Sequence, residues 1–270
     1  MNLRLEGRRA LITNVTGPIG ASIAQALVHE GVAVALHGDK EEVSRIVREI
    51  IANGGRASWT TGDLGTDEGV AHVIDRAMVE CGGIDILIHN TRVLPEHGWL
   101  HQPPEYWNDL YNQNVVSLVR LVRMLEPHMR QRGWGRVVLV PGGRQRQTND
   151  IADHSVTDAA NINVTISLAH ELARTGITVN TITPGVIVTN DSEQFWRKVA
   201  EKHGWTGDWK EIEERLCDEV LYGPTDRLGR AEDVATLVAF VASPVADFIN
   251  GTNLAVDGGY TAALRHLAMH

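Results

Sequence analysis

The sequence predicts an α/β protein with a doubly wound parallel sheet, in one domain over 1–270. Short apolar runs alternate with longer amphipathic segments, as strands and crossover helices do. The apolar runs are almost unbroken, which is typical of strands covered on both faces. Hydrophobic residues make up 43% of the 270 residues, enough for the core of one large domain. Ligands of such sheets bind beyond the carboxyl ends of the strands, so candidate site residues are those that follow each strand.

The predicted elements alternate as far as Ile182. We predict strands at Arg8–Thr13, Val32–His37, about Arg56–Asp63, Ile84–Asn90, Arg136–Val140 and Ile177–Ile182. We predict helices at about Pro18–Glu30, Glu41–Gly55, a segment ending near Gly82, Pro103–Gly133 and Asp153–Thr175. Proline opens the first and fourth helices, where its missing N–H is tolerated, and glycine closes the second.

The region Val186–Thr225 interrupts this alternation. It is long, charged and contains Trp196, Trp205 and Trp209. Long loops with their own composition often cover binding sites. We therefore predict a helical lid insertion over about 186–225, with its tryptophans, Trp196 among them, lying over an aromatic or acyl substrate. The alternative is that these tryptophans pack against the body of the protein.

Charge and composition limit the classes of partner. The formal net charge is −9 and the isoelectric point about 5.7, which argues against nucleic acid or an anionic membrane as the main partner. No apolar run approaches the roughly 20 residues of a membrane span, and we expect no signal peptide. Cys81 and Cys217 have neither metal-ligand nor disulfide spacing. We expect a cytoplasmic protein that binds a small molecule and no metal.

Several motifs occur in a characteristic order. LEGRRALIT opens the first strand, GDL at Gly62–Leu64 follows the third, DILIHN ends at Asn90, and Asn114 lies in YNQNVVS. AHELARTGITVNTITPGVIVT and DRLGRAEDVATLVAFVASPVADFINGTNLAVDGGY follow towards the C-terminus. From residue 5 to about 260 the chain resembles the short-chain dehydrogenase/reductase superfamily, the 3-oxoacyl-carrier-protein-reductase-like branch in particular. The resemblance implies a doubly wound fold and a nicotinamide cofactor.

The cofactor motif departs from the family pattern. The phosphate turn T-G-x-x-x-G-I-G reads TNVTGPIG, with Asn14 and Pro18 in place of glycines. Asparagine tolerates a left-handed turn, whereas proline brings no N–H to a phosphate. We expect weak dinucleotide binding or none, and a turn kept only for folding is the alternative. The positions that match the family's cofactor contacts are Asn14, Gly17, Ile19, Gly20, Asp39, Asp63, Leu64, Asn90, Pro184, Gly185 and Thr189.

Two further residues bear on the cofactor. Asp39 follows the second strand, where a carboxylate accepts from ribose hydroxyls and repels a 2′-phosphate, so NAD is favoured over NADP. An exposed loop aspartate without this role is the alternative. Arg92 takes the position of a family glycine that leaves room beside the cofactor, and its bulk further weakens the expected binding.

The catalytic positions of the family are replaced. The serine position falls on Pro141–Gly143, the tyrosine position on His154 and the lysine position on Asp158, while Asn114 keeps the family asparagine. His154 and Asp158 lie four apart on one predicted helix, so their side chains are neighbours. A carboxylate beside an imidazole orients the ring and favours its protonated form, as in acid–base dyads. An incidental surface pair is the alternative.

Two loop arginines are candidates for substrate binding. Arg144 and Arg146 lie in GGRQRQTND, in the loop that borders the family's active site. Guanidinium groups there suit a carboxylate or a phosphate of a substrate. Solvated side chains without a ligand are the alternative.

Three hypotheses on function remain open. In the first, His154 performs acid–base chemistry on a carbonyl, hydroxyl or acyl thioester substrate without hydride transfer. In the second, the chain is a non-catalytic subunit paired with an active relative. In the third, it is a NAD-dependent reductase with an unusual proton donor, which the retained Asp63 and Asn114 favour. The helices Pro104–Arg132 and Asp153–Thr175 match the family's dimer helices, so we expect a homodimer, a homotetramer or such a heteromer.

Overall fold

The computed structural model describes residues 1–15, 17–91, 102–142, 152–221 and 224–260, except for the side chains of residues 152–155, 190 and 191. Within these ranges the strands are β1 (Arg9–Thr13), β2 (Ala33–His37), β3 (Ala57–Thr60), β4 (Ile86–Asn90), β5 (Gly135–Val140), β6 (Ile177–Pro184) and β7 (Asn253–Val256). The α-helices are α1 (Pro18–His29), α2 (Lys40–Ala52), α3 (Asp67–Cys81), α4 (Pro104–Tyr111), α5 (Ser117–Gln131), α6 (Ala152–Glu171), α7 (Asn190–Lys202), α8 (Trp209–Arg215) and α9 (Ala231–Val241).

Across the described part of the chain, seven parallel strands form one sheet in the order β3-β2-β1-β4-β5-β6-β7. The order grows outward in both directions from the pair β1 and β4, which confirms the predicted doubly wound fold. The six predicted strands occur where the apolar runs indicate, and β7 is an additional edge strand. The switch point between β1 and β4 is where such folds bind their ligands.

Two apolar layers cover the sheet, because side chains along a strand alternate between its two faces. In β1, Ile12 joins the layer beneath α1, α2 and α9, whereas Leu11 joins the layer beneath α3, α5 and α6. In β4, Ile88 and Leu87 repeat this division. All four side chains are fully buried. Strands covered on both faces are what the unbroken apolar runs predict.

The long helix predicted over Pro103–Gly133 is interrupted. It consists of α4 and α5 joined by a π-helical turn at Asn112–Val116. Such turns are frequent at functional sites, and this one carries the buried Asn114. The sequence pattern does not reveal the turn, because one inserted residue leaves the apolar stripe nearly intact.

The segment 186–225, called the lid segment below, contains α7, α8 and a π-helical turn at Leu216–Val220. Glu213 of α8 is buried, and its carboxylate accepts from both terminal nitrogens of Arg230 at 2.6 and 2.8 Å, which ties the segment to the start of α9. The tryptophans pack within the lid segment itself. They belong to a small apolar cluster formed by Ala200, Ile212, Leu216, Trp196, Val199, Trp205, Trp209 and Val220.

Candidate functional site

The candidate site lies at the switch point, where the carboxyl ends of β1, β2 and β4 lie side by side. The backbone N–H of Val15 donates to the carbonyl of His37 at 2.8 Å, which joins the turn after β1 to the end of β2. The same turn is also tied to β4. The loop that matches the family's phosphate turn therefore sits at the centre of the sheet edge.

Asn14 and Asn90 hold the turn after β1 against the end of β4. Asn14 has a φ of 49°, the left-handed conformation that its place at a family glycine implies. Its Nδ2 donates to the carbonyl of Asn90 at 2.7 Å, and Nδ2 of Asn90 donates to the carbonyl of Thr13 at 2.8 Å. Oδ1 of Asn90 is buried and has no hydrogen-bond partner among the described residues. A buried acceptor without a donor costs about 1–3 kcal/mol, so a ligand group that donates to it would bind favourably.

Gly17 and Gly20 shape the start of α1. Gly17 is the N-cap with a φ of 80°, and a Cβ on Gly20 would come within 3.0 Å of the backbone that precedes the helix. Pro18 is the first helical residue and contributes no N–H. The N–H groups of Ile19 and Gly20 have no partner within the helix, which leaves them for an anion. The N–H of Gly17 donates to Oε1 of Glu42 at 3.0 Å.

Asp39 and Asp63 hold loops at the edge of the site. Oδ1 of Asp39 accepts from two backbone N–H groups at the start of α2, at 3.0 and 3.2 Å, and so caps that helix. Oδ1 of Asp63 accepts from the N–H of Gly65 and from Nε2 of Gln113, both at 2.8 Å. Leu64 beside it is buried. Both carboxylates are exposed and have a local structural role, and contact with a cofactor stays a prediction.

His37 ends β2 as a buried, neutral imidazole. Its Nδ1 accepts from the N–H of Asn14 at 3.2 Å, and its Nε2 donates to the carbonyl of Gly62 at 2.9 Å. Burial lowers the pKa of His37 below its usual value, although the hydrogen bond to Gly62 acts in the opposite direction. Protonation of Nδ1 would set two donors against each other, so the turn at Asn14 requires the neutral ring.

His89 connects β1 and β4 to the π-helical turn. Oγ of Ser117 donates to the carbonyl of Gln113 at 2.6 Å, so this oxygen accepts from Nε2 of His89 at 3.2 Å. Nδ1 of His89 therefore accepts from Oγ1 of Thr13 at 2.9 Å. Burial lowers the pKa of His89 to about 3, with a smaller effect from the neighbouring His37. The imidazole ring of His89 is neutral, and every polar side-chain atom in this buried series of hydrogen bonds has a partner.

Asn114 and Asp158 lie in one buried polar region, with 0% and 1% of their surface exposed. Nδ2 of Asn114 donates to Oγ1 of Thr157 at 3.4 Å, and Nδ2 of Asn161 donates to the carbonyl of Asn114 at 3.1 Å. The π-helical turn and α6 are thereby held together at the predicted catalytic positions. Asp158 is therefore not a surface residue, and whether it forms a catalytic pair with His154 stays a prediction.

The segment after β6 has the backbone that its motif requires. Pro184 ends β6, and a Cβ on Gly185 would lie 2.6 Å from Cα of Asp257, so only glycine fits there. Thr189 and Ser192 form a capping box at α7, with hydrogen bonds of 3.1 and 2.7 Å between side chains and N–H groups. These three predicted cofactor contacts have backbone roles beside the site, and their contact with a cofactor is still a prediction.

The remaining predicted residues are only partly accounted for. The backbone of His154 belongs to α6, one turn before Asp158, and its side chain lies outside the described part. Trp196 contacts Phe195 edge-on, with ring centroids 5.0 Å apart, and packs in the lid segment's own cluster. Pro141, at the family's serine position, is buried directly after β5. The predicted positions that lie outside the described residues are Arg92, Gly143, Arg144 and Arg146.

Four residues of the site did not stand out in the sequence: His37, His89, Ser117 and Glu42. The two histidines carried a usable signal, because each lies at the end of an apolar strand run. A polar side chain buried in such a run needs hydrogen-bond partners, and those partners mark a polar cluster. Ser117 and Glu42 lie on amphipathic helices and carried no such signal.

Among the residues that the structure covers, no group of three or more His, Cys, Asp or Glu side chains is arranged to hold a metal ion. Within the same ranges, no helix combines the length and the apolar character needed to cross a membrane. Cys81 and Cys217 are free thiols, and burial raises the pKa of Cys217 to about 11.

Comparison with known proteins covers almost the whole chain. The family model described as enoyl-(acyl carrier protein) reductase matches residues 15–261. An uncharacterized oxidoreductase of Bacillus subtilis is 32% identical over 96% of this chain and 98% of its own length. Dehydrogenase/reductase SDR family member 4 of Sus scrofa is 32% identical over 96% of this chain and 89% of its own length. The 3-oxoacyl-[acyl-carrier-protein] reductase of Vibrio harveyi is 28% identical, over 95% and 98%.

Solved structures agree with this likeness. L-Sorbose reductase from Gluconobacter frateurii, complexed with NADPH and L-sorbose, matches with a TM-score of 0.86 and 29% identity, over 96% of this chain and 98% of that chain. A 7α-hydroxysteroid dehydrogenase complexed with NADH and 7-oxo glycochenodeoxycholic acid matches with a TM-score of 0.80 and 28% identity, over 96% of both chains. Both are oxidoreductases with a bound nicotinamide dinucleotide, NADPH in the first and NADH in the second.

Proposed function

Because the chain belongs to the short-chain dehydrogenase/reductase superfamily, we propose that it is a nicotinamide-dependent oxidoreductase acting on a carbonyl or hydroxyl group of a small molecule. The relatives and structural neighbours above carry the names of oxidoreductases, dehydrogenases or reductases. A shared fold does not fix the reaction, so the support has to come from the site itself.

The main support is the buried Oδ1 of Asn90, which has no partner among the described residues. It lies at the switch point, where doubly wound folds hold the ribose and phosphates of a dinucleotide. A ribose hydroxyl is a donor that would satisfy this oxygen, which otherwise costs about 1–3 kcal/mol. The left-handed Asn14 and the retained Gly17 and Gly20 keep the accompanying turn. The residues present therefore fit a dinucleotide, with one N–H fewer because of Pro18.

A bound nicotinamide dinucleotide would supply or accept the hydride. The N–H groups of Ile19 and Gly20, at the positive end of α1, would hold its pyrophosphate. Asn90 would accept a hydrogen bond from a ribose hydroxyl of the dinucleotide. Gly185, which has no side chain, would allow the backbone after β6 to lie close to the dinucleotide. Since Pro18 and Arg92 replace two family glycines, we expect weaker binding than in the intact motif.

We assign proton transfer to His154, which stands at the tyrosine position one turn before Asp158 in α6. Asp158 is buried, and a buried carboxylate four residues away on a helix would orient the imidazole and favour its protonated form. His154 would give a proton to a carbonyl oxygen during reduction and take one from a hydroxyl during oxidation. Asn114 supports this arrangement through its hydrogen bonds with Thr157 and Asn161.

The names of the relatives suggest which substrates to offer. They act on 3-oxoacyl thioesters, a ketose and an oxidised bile acid, which share a ketone or secondary alcohol. Arg144 and Arg146 would hold an anionic end of the substrate, and the lid segment would cover it. We therefore expect a substrate with a ketone or secondary alcohol, and we expect activity to be greatest where the substrate also has an anionic group.

The test is NADH oxidation with β-keto thioesters, ketoses and oxosteroids, measured for wild type, His154→Ala and Asp158→Asn. We expect His154→Ala to lower kcat by about 100-fold or more, the usual contribution of a general acid. Asp158→Asn should lower kcat less and shift the pH dependence of kcat downward, because the carboxylate that stabilises imidazolium is neutralised.

A matched control is His170→Ala, which removes an exposed histidine from the last turn of the same helix and should leave kcat unchanged. Equal activity of wild type and His154→Ala on every substrate that turns over contradicts the proposed role of His154. Turnover by wild type that does not require NADH would instead favour the first hypothesis, acid–base chemistry without hydride transfer.

A non-catalytic subunit is the second candidate, and one observation favours it. Pro141 is buried at the serine position and offers no hydroxyl to a substrate. The helices expected to form the dimer interface carry exposed apolar side chains, which fit a homo-oligomer and a heteromer equally, namely Val119 and Met124 on α5 and Val156 and Ile166 on α6. Co-purification with an intact relative, and NADH oxidation only by that mixture, would support this candidate over a homo-oligomeric enzyme.

A further inference from the structure

Glu42 reaches from one helix to the start of another. It belongs to the first turn of α2, yet its Oε1 accepts from the backbone N–H of Gly17 at 3.0 Å. Gly17 is the N-cap of α1, inside the turn that matches the family's phosphate motif. One N–H group at this positive helix end is thus already bonded to a carboxylate, in a place where doubly wound folds bind phosphate.

The neighbouring residues at the end of β2 are constrained. Gly38 has no side chain, and a Cβ there would lie 3.0 Å from Cγ1 of Val43 and 3.4 Å from the backbone nitrogen of Val15. Asp39, which the sequence suggested as the determinant of cofactor choice, uses Oδ1 to cap α2. Glu42 is the carboxylate of this region that contacts the phosphate turn directly.

We infer that Glu42 determines which dinucleotide this chain accepts, favouring NAD(H) and excluding NADP(H). The inference rests on the proposed function, because it requires a dinucleotide at the turn. In doubly wound folds the adenosine ribose lies beside the end of β2. A 2′-phosphate there would bring about two further negative charges close to Glu42 and Asp39. An unphosphorylated ribose presents hydroxyls, which donate to carboxylates.

The contact also contributes to weak binding of both dinucleotides. The positive end of α1 would attract the anionic pyrophosphate, and the negative charge of Glu42 at this helix end weakens that attraction. Removing the charge should therefore strengthen both complexes, but the phosphorylated one more, since it has more negative charge near this residue. The ratio of the two affinities is the quantity that separates this effect from a general gain in binding.

The test variant is Glu42→Gln, which keeps the side-chain length and an oxygen able to accept from Gly17 while removing the charge. Fluorescence titrations with NADH and with NADPH give the two dissociation constants without any turnover. We expect wild type to bind NADH at least tenfold more tightly than NADPH, roughly the effect of 1.4 kcal/mol. We expect Glu42→Gln to reduce this ratio roughly tenfold, mainly through tighter NADPH binding.

Two controls accompany it. Glu41→Gln removes the same charge from the adjacent, exposed position in the same helical turn, and screening by salt should keep its ratio within about twofold of wild type. Asp39→Asn tests the determinant that the sequence suggested, and we expect a smaller change than for Glu42→Gln. Glu42→Ala is a second neutral variant, and circular dichroism verifies that each protein is folded.

The outcomes separate the inference from the proposed function. Preference of wild type for NADPH, a ratio that Glu42→Gln leaves unchanged, or an equal change in Glu41→Gln each overturns the role of Glu42 and leaves the oxidoreductase intact. Binding of neither dinucleotide by wild type or by the Glu42 variants overturns both. Normal NADH binding with the expected ratios but no turnover of any substrate overturns only the proposed reaction.

Discussion

The two ends of the sheet are built from the same strands, yet they hold their buried polar groups in opposite ways. At the carboxyl ends of β1, β2 and β4 the hydrogen-bonding side chains are neutral: the buried imidazoles of His37 and His89, the buried amide of Asn90 and the half-buried amide of Asn14. One of their acceptors, Oδ1 of Asn90, has no partner among the described residues. At the amino ends the buried carboxylate of Asp85 is charged and paired.

The amino ends are held by a bidentate ion pair. Nε and Nη2 of Arg9 donate to the two carboxylate oxygens of Asp85 at 2.8 and 2.7 Å, and Asp85 is almost completely buried. Burial alone would raise the pKa of Asp85, but Arg9, with help from Arg132, holds it below the usual value. Nearby, the guanidinium groups of Arg8 and Arg136 each lie over the Trp134 ring, 3.8 and 4.2 Å from its centroid.

The difference separates stability from binding. The Arg9–Asp85 pair satisfies its own charges and fixes β1 against β4 at the amino ends. Neutral groups at the carboxyl ends of β1, β2 and β4 leave the acceptor of Asn90 and two N–H groups of α1 for a molecule that brings donors and phosphates. We therefore expect ligand binding at the carboxyl ends, in agreement with the general rule for such sheets.

Removing the ion pair at the amino ends of the strands should have the largest effect on stability. Arg9→Ala removes the bidentate partner of the buried Asp85 and leaves it the partly exposed Arg132 and the backbone N–H of residue 9. Removing one partner of a buried pair costs about 3–5 kcal/mol. Urea unfolding at neutral pH measures this loss. The control Arg45→Ala removes an exposed partner of Glu49 and should cost less than about 0.5 kcal/mol. Similar losses for the two variants would show that the pair at the amino end has no special weight.

Acid should act mainly on the carboxyl end. The folded chain keeps His89 neutral down to about pH 3, whereas the unfolded chain protonates it below about pH 6.5. Stability therefore falls with decreasing pH in this window, by about 1.4 kcal/mol per pH unit for this residue. His89→Asn removes the titration, so its loss between pH 6.5 and 4.5 should be about 2–3 kcal/mol smaller than that of wild type.

Urea unfolding of wild type and His89→Asn at several pH values tests this. His37 is buried in the same way and titrates in both proteins, so it contributes to the common acid sensitivity and not to the difference. Parallel curves for wild type and His89→Asn would mean that His89 does not resist protonation in the folded protein.

The smallest expected effect on stability comes from replacing a residue with left-handed backbone at each end of the sheet. Arg174, with a φ of 64°, is exposed before the amino end of β6, and Arg174→Gly should stabilise the fold by about 0.5 kcal/mol, since relief of strain exceeds the added chain entropy. Asn14→Gly relieves less strain, because asparagine tolerates this conformation, and it loses the hydrogen bond to Asn90, worth about 1 kcal/mol, so it should not stabilise. Chemical unfolding of both variants decides, and equal gains would argue against a role for the Asn14 amide.

Much of the fold and some of the site could be predicted. Alternation of apolar runs gave the six predicted strands and the doubly wound class, because burial of both sheet faces dictates that pattern. Local steric rules predicted that Asn14 tolerates a left-handed turn, whereas the close approach of Gly185 to Asp257 was found only in the structure. The edge strand β7 and the break at Asn112–Val116 were not predicted, since a short strand and a one-residue insertion hardly alter the apolar period.

The sequence by itself determined which residues stand at the catalytic and cofactor positions, because their order along the chain follows a family pattern. Only the tertiary structure decided what those residues contact. Glu42 bonds to Gly17 across 25 residues, and His89 bonds to Thr13 across 76. The burial of Asp158 likewise depends on the π-helical turn packing against α6. Periodicity and propensity act over one or two turns of chain, whereas hydrogen-bond partners, burial and protonation state are set by segments that meet only in the folded protein.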